Sequence, residues 1–217
     1  MKHGSVVIVG NGDIDWIKKS DLTKHSYVIG VDRAAWMLLK RGIIPHLAIG
    51  DFDSVSQKQL SKIKKVVLDV REYPADKDQT DLELAVSVAL ERHPLEIVMY
   101  GCLGRRLDHE IAAFHILREI QKKQCQTMLR DEYNEIRLVE GGCKIKKKKH
   151  FSYLSILPFT DEITVSISGC KYPLHNHVMK KGTTLGVSNI IISDHADITV
   201  HKGIAYCILS KDGKSSL

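Results

Sequence analysis

Short runs rich in valine and isoleucine alternate with helix-like segments up to about Asp131, and this alternation constrains the fold more than any other feature. Buried strands have this composition. Strands that alternate with helices predict a mostly parallel sheet covered by helices on both faces, in three layers. The strand-like runs are Ser5–Val9, Tyr27–Val31, His46–Ile49, Val66–Val70 and Leu95–Tyr100.

Three helices are predicted between these runs. The first is Ala34–Arg41, which stops at Gly42, a candidate C-cap. The other two are indicated by apolar stripes at helical spacing. These stripes are Leu82, Ala85, Val86, Ala89 and Leu90, and then Ile111, Phe114, Leu117 and Ile120.

The pattern changes after about Glu132, where short strand-like runs are separated by turn-prone residues and no helical periodicity is evident. This predicts an all-β sandwich as the C-terminal domain. We place the boundary so that residues 1–135 form the α/β domain and residues 136–217 form the sandwich. The predicted strands are Arg137–Val139, Tyr153–Leu157, Ile163–Ile167, Ile190–Ile192, Ile198–Val200 and Ala205–Leu209.

Composition predicts a soluble protein of the cytoplasm. Hydrophobic residues make up 43% and charged residues 27% of the chain. No run approaches the ~20 apolar residues that cross a bilayer, so no membrane association is expected. The start, from Met1 to Gly10, enters a strand-like run too short for the apolar core of a signal peptide. The five cysteines include no C-x-x-C pair, which fits a reducing compartment.

A lysine-rich run from Lys144 to Lys149 contributes to the net charge of +6. A nucleic-acid patch is one interpretation of such a run. No aromatic residues interleave with these lysines, so a solvated linker or strand edge is favoured and no nucleic-acid partner is predicted. The positive charge of the whole chain would also attract an anionic substrate.

Polar residues and glycines follow four of the predicted strands. Ligands of open parallel sheets bind beyond the carboxyl ends of the strands, so these loops are expected to meet at one site. The residues are Asn11 after the first strand, Asp32 after the second, Asp51 and Asp53 after the third, and Gly101 and Gly104 after the fifth.

Local geometry is expected to bring the acids of two of these segments together. Asp51 and Asp53 are two residues apart, so an extended backbone would point both carboxylates to one side and Phe52 to the other. Thr80 and Glu83 form a T-x-x-E capping box, which places Asp81 in the first turn of a helix.

Carboxylates gathered in one place repel one another unless a cation lies among them. Mg²⁺ prefers oxygen ligands and shares its shell with substrate phosphates, so the acids predict a magnesium site for a polyphosphate. The alternative is that Asp51, Asp53, Asp76 and Asp78 are ordinary turn and capping residues, a role that aspartate favours.

The loop after the fifth strand suits an anionic group. Gly101 and Gly104 permit close backbone approach before a helix that begins near Asp108, and Arg105 and Arg106 lie beside them. By contrast, the segment Gly10 to Gly12 lacks the third glycine of a dinucleotide fingerprint, and no Walker A sequence occurs.

Taken in order, these segments resemble the thiamine pyrophosphokinase family over nearly the whole chain. The matching segments are V-D-R-A-A around Asp32, G-D-F-D-S around Asp51, D-K-D-Q-T-D ending at Asp81, G-C-L-G-R-R-L-D-H from Gly101, S-I-L-P, G-C-K-Y-P-L from Gly169 and G-V-S-N from Gly186.

The resemblance implies Mg²⁺-dependent transfer of a pyrophosphoryl group from ATP to the hydroxyl of thiamine, giving thiamine diphosphate and AMP. It also implies a homodimer with active sites in clefts between subunits. The implied roles fall into three groups. They are Asp51, Asp53 and Asp81 as metal and catalytic acids with Asp32 beside them; Asn11, Asp78, Gly101, Gly104, Arg106 and Asp108 toward ATP; and Tyr172, Ser188 and Asn189 toward thiamine.

The chain departs from the family at two arginines. Arg33 and Arg105 occupy positions that are often glycine there, which puts individual phosphate contacts in question but leaves the acids intact. Either Asp81 or Asp53 can accept the hydroxyl proton, and the sequence leaves that choice open.

Two other functions are compatible with parts of the sequence. The acids alone would equally serve a Mg²⁺-dependent hydrolase or nucleotidyltransferase, against which only the C-terminal motifs argue. A nucleotide- or thiamine-binding regulator without turnover is the third hypothesis, and the complete set of acids argues against it.

Overall fold

The computed structural model describes residues 4–22 and 27–213, so the first three residues of the N-terminal segment discussed above lie outside the described residues. The chain divides into two compact units that meet between Glu132 and Tyr133, three residues before the boundary expected from sequence. Among the described residues, no helix is both long and apolar enough to cross a membrane.

The first unit contains a fully parallel sheet of six strands in the order β6-β5-β1-β2-β3-β4. Val7 pairs with Val28 and Ile29 pairs with Leu47, so the buried runs lie side by side in register. The strands are β1 (Ser5–Val9), β2 (Tyr27–Val31), β3 (Leu47–Gly50), β4 (Asp69–Glu72), β5 (Glu96–Tyr100) and β6 (Gln126–Arg130).

Within the described residues, four α-helices cover this sheet on its two faces. One buried cluster joins Ala34 and Leu38 of the first helix to Val7 and Val28, and an adjacent cluster joins the first two helices to Ala48. The third helix packs against the first three strands and against the fourth helix. The three-layer α/β arrangement predicted from sequence is confirmed. The helices are α1 (Arg33–Lys40), α2 (Gln57–Val66), α3 (Asp81–Glu91) and α4 (Leu107–Lys122).

Several predicted elements of this unit need correction. Helix α2 and strand β6 were not predicted, and the predicted strand Val66–Val70 begins only at Asp69 because α2 runs through Val66. Ile111 does not belong to the buried stripe of α4; its side chain is exposed, and Ala113 packs inward instead. Gly42 follows α1 with a φ of +67°, as its predicted C-cap role requires.

The second unit is antiparallel throughout and surrounds a core of its own. The last strand, β11, pairs with β7 along one edge. Along its other edge it pairs first with β9 and then with β8. Its register with β7 shifts between Val200 and Ala205. The predicted β-sandwich is thereby confirmed. Its strands are β7 (Asn134–Lys146), β8 (Tyr153–Pro158), β9 (Glu162–Ser168), β10 (Leu174–Lys180) and β11 (His195–Ser210).

The strand bounds in this unit differ from the predicted ones. The two predicted strands near the C-terminus both belong to the single strand β11, and β10 was missed. Ile190–Ile192 is not a strand, since Ile191 makes only an isolated bridge to Cys170.

The lysine-rich run is not a linker. Its first three residues continue β7, and Ile145 among them is buried. Lys148 bonds both carboxylate oxygens of the buried Glu135, at 2.7 and 2.6 Å. Arg137 bonds the same carboxylate at 2.6 Å. Part of the run therefore neutralises a buried acid.

Candidate active site

Three carboxylates from two neighbouring strand ends form the centre of the site. Asp32 follows β2, whereas Asp51 and Asp53 follow β3. One oxygen from each lies within 4.8 Å of the others, and within the described part of the chain this is the one group of three or more acids, histidines or cysteines so close together. Asp51 and Asp53 therefore lie together beyond the sheet, and the third acid of the group is Asp32 and not Asp81.

Asp32 is the most buried of the three, with 4% of its surface exposed. Its Oδ2 accepts hydrogen bonds from Ser54 Oγ at 2.6 Å and from Asn11 Nδ2 at 2.8 Å. The Asn11 Oδ1 in turn accepts from the backbone N–H of Ala34 at 2.9 Å. Asp32 Oδ1 is also buried, and no hydrogen-bond partner for it occurs among the described residues. Burying such an oxygen without a partner is unfavourable, so the pocket around it favours a cation or a donor.

Asp51 and Asp53 point away from the core for a different reason than predicted. Phe52 has a φ of +56°, so the backbone turns here in the left-handed region and is not extended. The Phe52 ring is buried, and the backbone N–H of Asp53 donates to Asp51 Oδ1 at 3.1 Å. The Asp51 carboxylate raises the pKa of Asp53, and Lys77 offsets only part of that repulsion.

Asp81 begins α3 and stands slightly apart from the three. Thr80 caps the helix by accepting from the Glu83 N–H at 3.2 Å, which is one half of the predicted capping box. Asp81 Oδ1 lies 3.1 Å from Lys77 Nζ. Burial raises the pKa of Asp81, and Lys77 lowers it in part. The geometry therefore groups Asp32, and not Asp81, with the other two acids.

Glycines allow the loops after β1 and β5 to touch. The N–H of Gly12 donates to the carbonyl of Gly101 at 2.7 Å, and a Cβ at position 12 would lie only 2.7 Å from the same oxygen. Gly101 itself has a φ of +66°. The segment Gly10 to Gly12 is thus explained by backbone docking between two loops and does not require a dinucleotide.

The expected anion-binding amides of the next loop already have an anionic partner. The N–H groups of Gly104 and Arg105 both donate to Glu110 Oε1, each at 2.9 Å. Glu110, in the first turn of α4, was not identified from the sequence, where only the glycines and arginines suited to an anion before a helix were recognised. A phosphate that uses these amides must displace a carboxylate.

Arg106 and Asp108 form a bidentate ion pair at the start of α4, with distances of 3.1 and 2.6 Å. Their hydrogen bond lowers the pKa of Asp108 to about 2. Both side chains are exposed, so the pair can open at small free-energy cost. Arg106 can therefore turn toward an incoming anion.

These segments enclose a cavity of about 680 Å³ in the first unit. Of the predicted residues, Gly104 and Asp78 do not line it, and Asp78 is exposed with Asp76 in the loop before α3. Arg33 also lies outside, whereas Arg105 lines the wall. The predicted residues that do line it are Asn11, Asp32, Asp51, Asp53, Asp81, Gly101, Arg106 and Asp108.

The residues predicted to contact thiamine lie together in the second unit. Asn189 is buried, and its side chain accepts from the Tyr172 N–H at 3.0 Å and donates to the Tyr172 carbonyl at 2.7 Å. Ser188 has a φ of +61°, and its N–H bonds Ser155 Oγ at 3.0 Å. Tyr172 is 56% exposed, so it is not a core residue of the β unit.

The fold and the cavity are those of a two-unit α/β and β protein that binds its ligand at the edge of a parallel sheet. It has an α/β unit with an acid-lined cavity beyond the carboxyl ends of its parallel strands, followed in sequence by an antiparallel β unit. Two family models match this chain. They are "Thiamin pyrophosphokinase, catalytic domain" over residues 9–129 and "Thiamin pyrophosphokinase, vitamin B1 binding domain" over residues 142–205. The chain therefore belongs to the thiamine pyrophosphokinase family.

Individual relatives agree over most of the chain. The thiamine pyrophosphokinase of Bacillus subtilis is 37% identical over 191 residues, which cover 87% of this chain and 89% of that protein. A crystal structure of the Bacillus subtilis enzyme superposes with a TM-score of 0.89 at 36% identity, covering 96% of this chain and 100% of that one. The crystal structure of a thiamin pyrophosphokinase family protein from Enterococcus faecalis superposes with a TM-score of 0.89 at 29% identity, covering 97% of this chain and 100% of that one.

Proposed function

We propose that this thiamine pyrophosphokinase transfers the β,γ-pyrophosphoryl group of ATP to the hydroxyl of thiamine, with Mg²⁺ as cofactor. The thiamine oxygen would bond to the β-phosphorus, the bond from that phosphorus to the oxygen bridging to the α-phosphate would break, and AMP would leave. The observation that carries the proposal is the buried acid Asp32, which lines the same cavity as Arg105 and Arg106 and whose Oδ1 has no hydrogen-bond partner in the part of the chain that the structure describes.

The residues present fit a magnesium ion. Among the described residues, Asp32 Oδ1 and Asp81 Oδ1 are both buried without a hydrogen-bond partner, but Asp81 Oδ1 already has the charge of Lys77 at 3.1 Å. The mutual repulsion of Asp51 and Asp53 is only partly offset. We therefore propose Asp32, Asp51 and Asp53 as the residues that hold Mg²⁺, in place of the set with Asp81 that the sequence suggested. When bound, the ion would neutralise charge on the phosphates.

Other side chains of the cavity would orient the acids, bind the triphosphate and accept a proton. Asn11 and Ser54 fix the orientation of Asp32, and Arg105 and Arg106 supply positive charge for the triphosphate. The carboxylates of Asp53 and Asp81 are the two candidate acceptors for the proton of the thiamine hydroxyl. The catalytic contribution would come from positioning and from neutralising charge.

We further propose that the second unit contacts thiamine through the exposed ring of Tyr172, and that the enzyme works as a homodimer with shared active sites. The thiazolium of thiamine is a cation and its pyrimidine is flat, so an aromatic face can hold either. A match to the vitamin B1 binding domain over residues 142–205 supports the assignment. Asn189 would act through Tyr172, because its amide is already used by the backbone of that residue.

Product analysis tests the proposal. Incubation of the purified protein with ATP, Mg²⁺ and thiamine should yield thiamine diphosphate and AMP in equal amounts. Formation of ADP and thiamine monophosphate would show that a single phosphoryl group, and not a pyrophosphoryl group, is transferred. Release of phosphate or pyrophosphate from ATP without any thiamine product would favour a hydrolase.

A further inference from the structure

A lysine ammonium group lies among the acids of the site. Lys77 Nζ is 3.1 Å from Asp81 Oδ1 and 4.0 Å from Asp51 Oδ2. It also donates to the carbonyl of Pro74 at 2.9 Å, which fixes the side chain from its own loop. Lys77 therefore bridges two acids that line the cavity, one at the end of β3 and the other at the start of α3.

This arrangement differs from the surface ion pairs of the same protein. The side chain of Lys77 is 16% exposed, whereas Lys64 and Lys122 in ordinary pairs are 47% and 54% exposed. An exposed pair holds its partners weakly, but a sheltered ammonium group between two carboxylates is screened less and interacts more strongly with both.

We propose that Lys77 is an internal counter-cation that holds Asp51 and Asp81 in the metal-free site and competes with a divalent cation for Asp51. This inference rests on the proposed magnesium site. Asp51 is the shared residue, because it belongs to the group of three acids and also lies next to Lys77. Lys77 is thus a positioning residue, and its positive charge lowers the affinity of the bare protein for metal.

Binding of Mn²⁺ to the full-length, nucleotide-free protein tests this role without relying on turnover. Free Mn²⁺ is measured by electron paramagnetic resonance during titration. We expect Lys77→Met to bind Mn²⁺ ~5- to 10-fold more tightly than the unaltered protein, because a nearby positive charge is lost. Lys77→Arg should stay close to the unaltered protein. The matched control Lys65→Met removes the same charge from an exposed site on α2 and should change nothing.

Thermal unfolding gives a second, independent readout. In EDTA, Lys77→Met should melt at a lower temperature than the unaltered protein, because Asp51 and Asp81 lose their cation. Saturating Mn²⁺ should remove that difference, since a ligand that binds the folded state stabilises it. Should the methionine variant not fold, Lys77→Gln, which removes the charge but keeps a hydrogen-bond donor, serves in both measurements.

The outcomes distinguish a failure of the role proposed for Lys77 from a failure of the proposed function. A folded Lys77→Met or Lys77→Gln protein that binds Mn²⁺ no more tightly than the unaltered enzyme would overturn the counter-cation role, even where thiamine diphosphate is formed. An unaltered protein that neither binds Mn²⁺ nor forms thiamine diphosphate would overturn the proposed function and with it this inference.

Discussion

The Asn189 side chain brackets the backbone of Tyr172, accepting its N–H at 3.0 Å and donating to its carbonyl at 2.7 Å. The same amide oxygen accepts the N–H of Ile190 at 2.9 Å. Asn189 is buried, while Tyr172 is exposed. Asn189 thus anchors the loop that carries Tyr172. Substitution of Asn189 should affect stability, and substitution of Tyr172 should affect thiamine binding.

Tyr172→Ala should weaken the binding of thiamine and leave the binding of ATP unchanged. We expect the KM for thiamine to rise roughly 5- to 30-fold, from ~1–2 kcal/mol of lost stacking or cation–π contact. The KM for ATP and the melting temperature should barely move, because the ring is not part of the core. Steady-state kinetics with each substrate varied in turn makes the measurement. Equal effects on both substrates would contradict a thiamine contact.

Asn189→Ala should destabilise the fold. The change leaves the N–H and the carbonyl of Tyr172 without their partner, which costs about 1–3 kcal/mol. Urea unfolding should show a lower midpoint than for the unaltered protein, with Tyr172→Ala as the control that does not shift. An unchanged midpoint for Asn189→Ala would show that these bonds contribute nothing.

Each of the changes Asp32→Asn, Asp51→Asn, Asp53→Asn and Asp81→Asn should reduce turnover by ~10²-fold or more, because each removes a metal ligand or proton acceptor. Asp53→Asn should weaken Mn²⁺ binding more than Asp81→Asn, since Asp81 lies outside the group of three acids. Asp76→Asn, exposed and outside the cavity, is the matched control. Near-normal turnover in all four variants would refute the acid site.

Glu135 should make stability depend on acid pH. Burial alone would raise its pKa, but Lys148 and Arg137 outweigh burial and hold the pKa below its ordinary value. A carboxyl whose pKa is depressed in the folded state stabilises the protein above its unfolded pKa. That stabilisation is lost as pH falls from about 4.3, the unfolded value, through the lower folded pKa.

Glu135→Gln tests this dependence. The free energy of unfolding of the variant should be about 1–3 kcal/mol lower at pH 7. This loss is smaller than that from breaking a fully buried ion pair, because Lys148 and Arg137 are partly exposed. Its urea midpoint should then fall less between pH 5 and pH 3 than that of the unaltered protein. Glu119→Gln, which removes an exposed pair with Lys122, is the control. Identical pH profiles for Glu135→Gln and the unaltered protein would contradict the assignment.

The strand pattern allowed the α/β fold to be predicted because strands buried on both faces are nearly continuous apolar runs. Helix α2 was missed because only Leu60 and Ile63 form its buried stripe. A usable signal was present: Ser56 and Gln59 form a reciprocal capping box. Strand β10 was missed because its residues are mostly polar and exposed.

The site was predictable only as far as local sequence determines it. The sequence places Asp32 and Asp51 after neighbouring strands, and parallel pairing then brings them together. The bond from Ser54 to Asp32 joins residues 22 positions apart, and spacing gives no sign of it. The same holds for Lys77, whose approach to Asp51 depends on the course of the loop before α3. Side-chain partners across loops require the folded geometry.

The fate of the phosphates of ATP tests the central claim most directly. The protein is incubated with Mg²⁺, thiamine and ATP that carries ³²P at the γ-position, and the products are separated. The account predicts that the label appears in thiamine diphosphate and that one AMP forms for each thiamine diphosphate. Label in thiamine monophosphate with ADP as the partner product, or label only in phosphate or pyrophosphate, would contradict it.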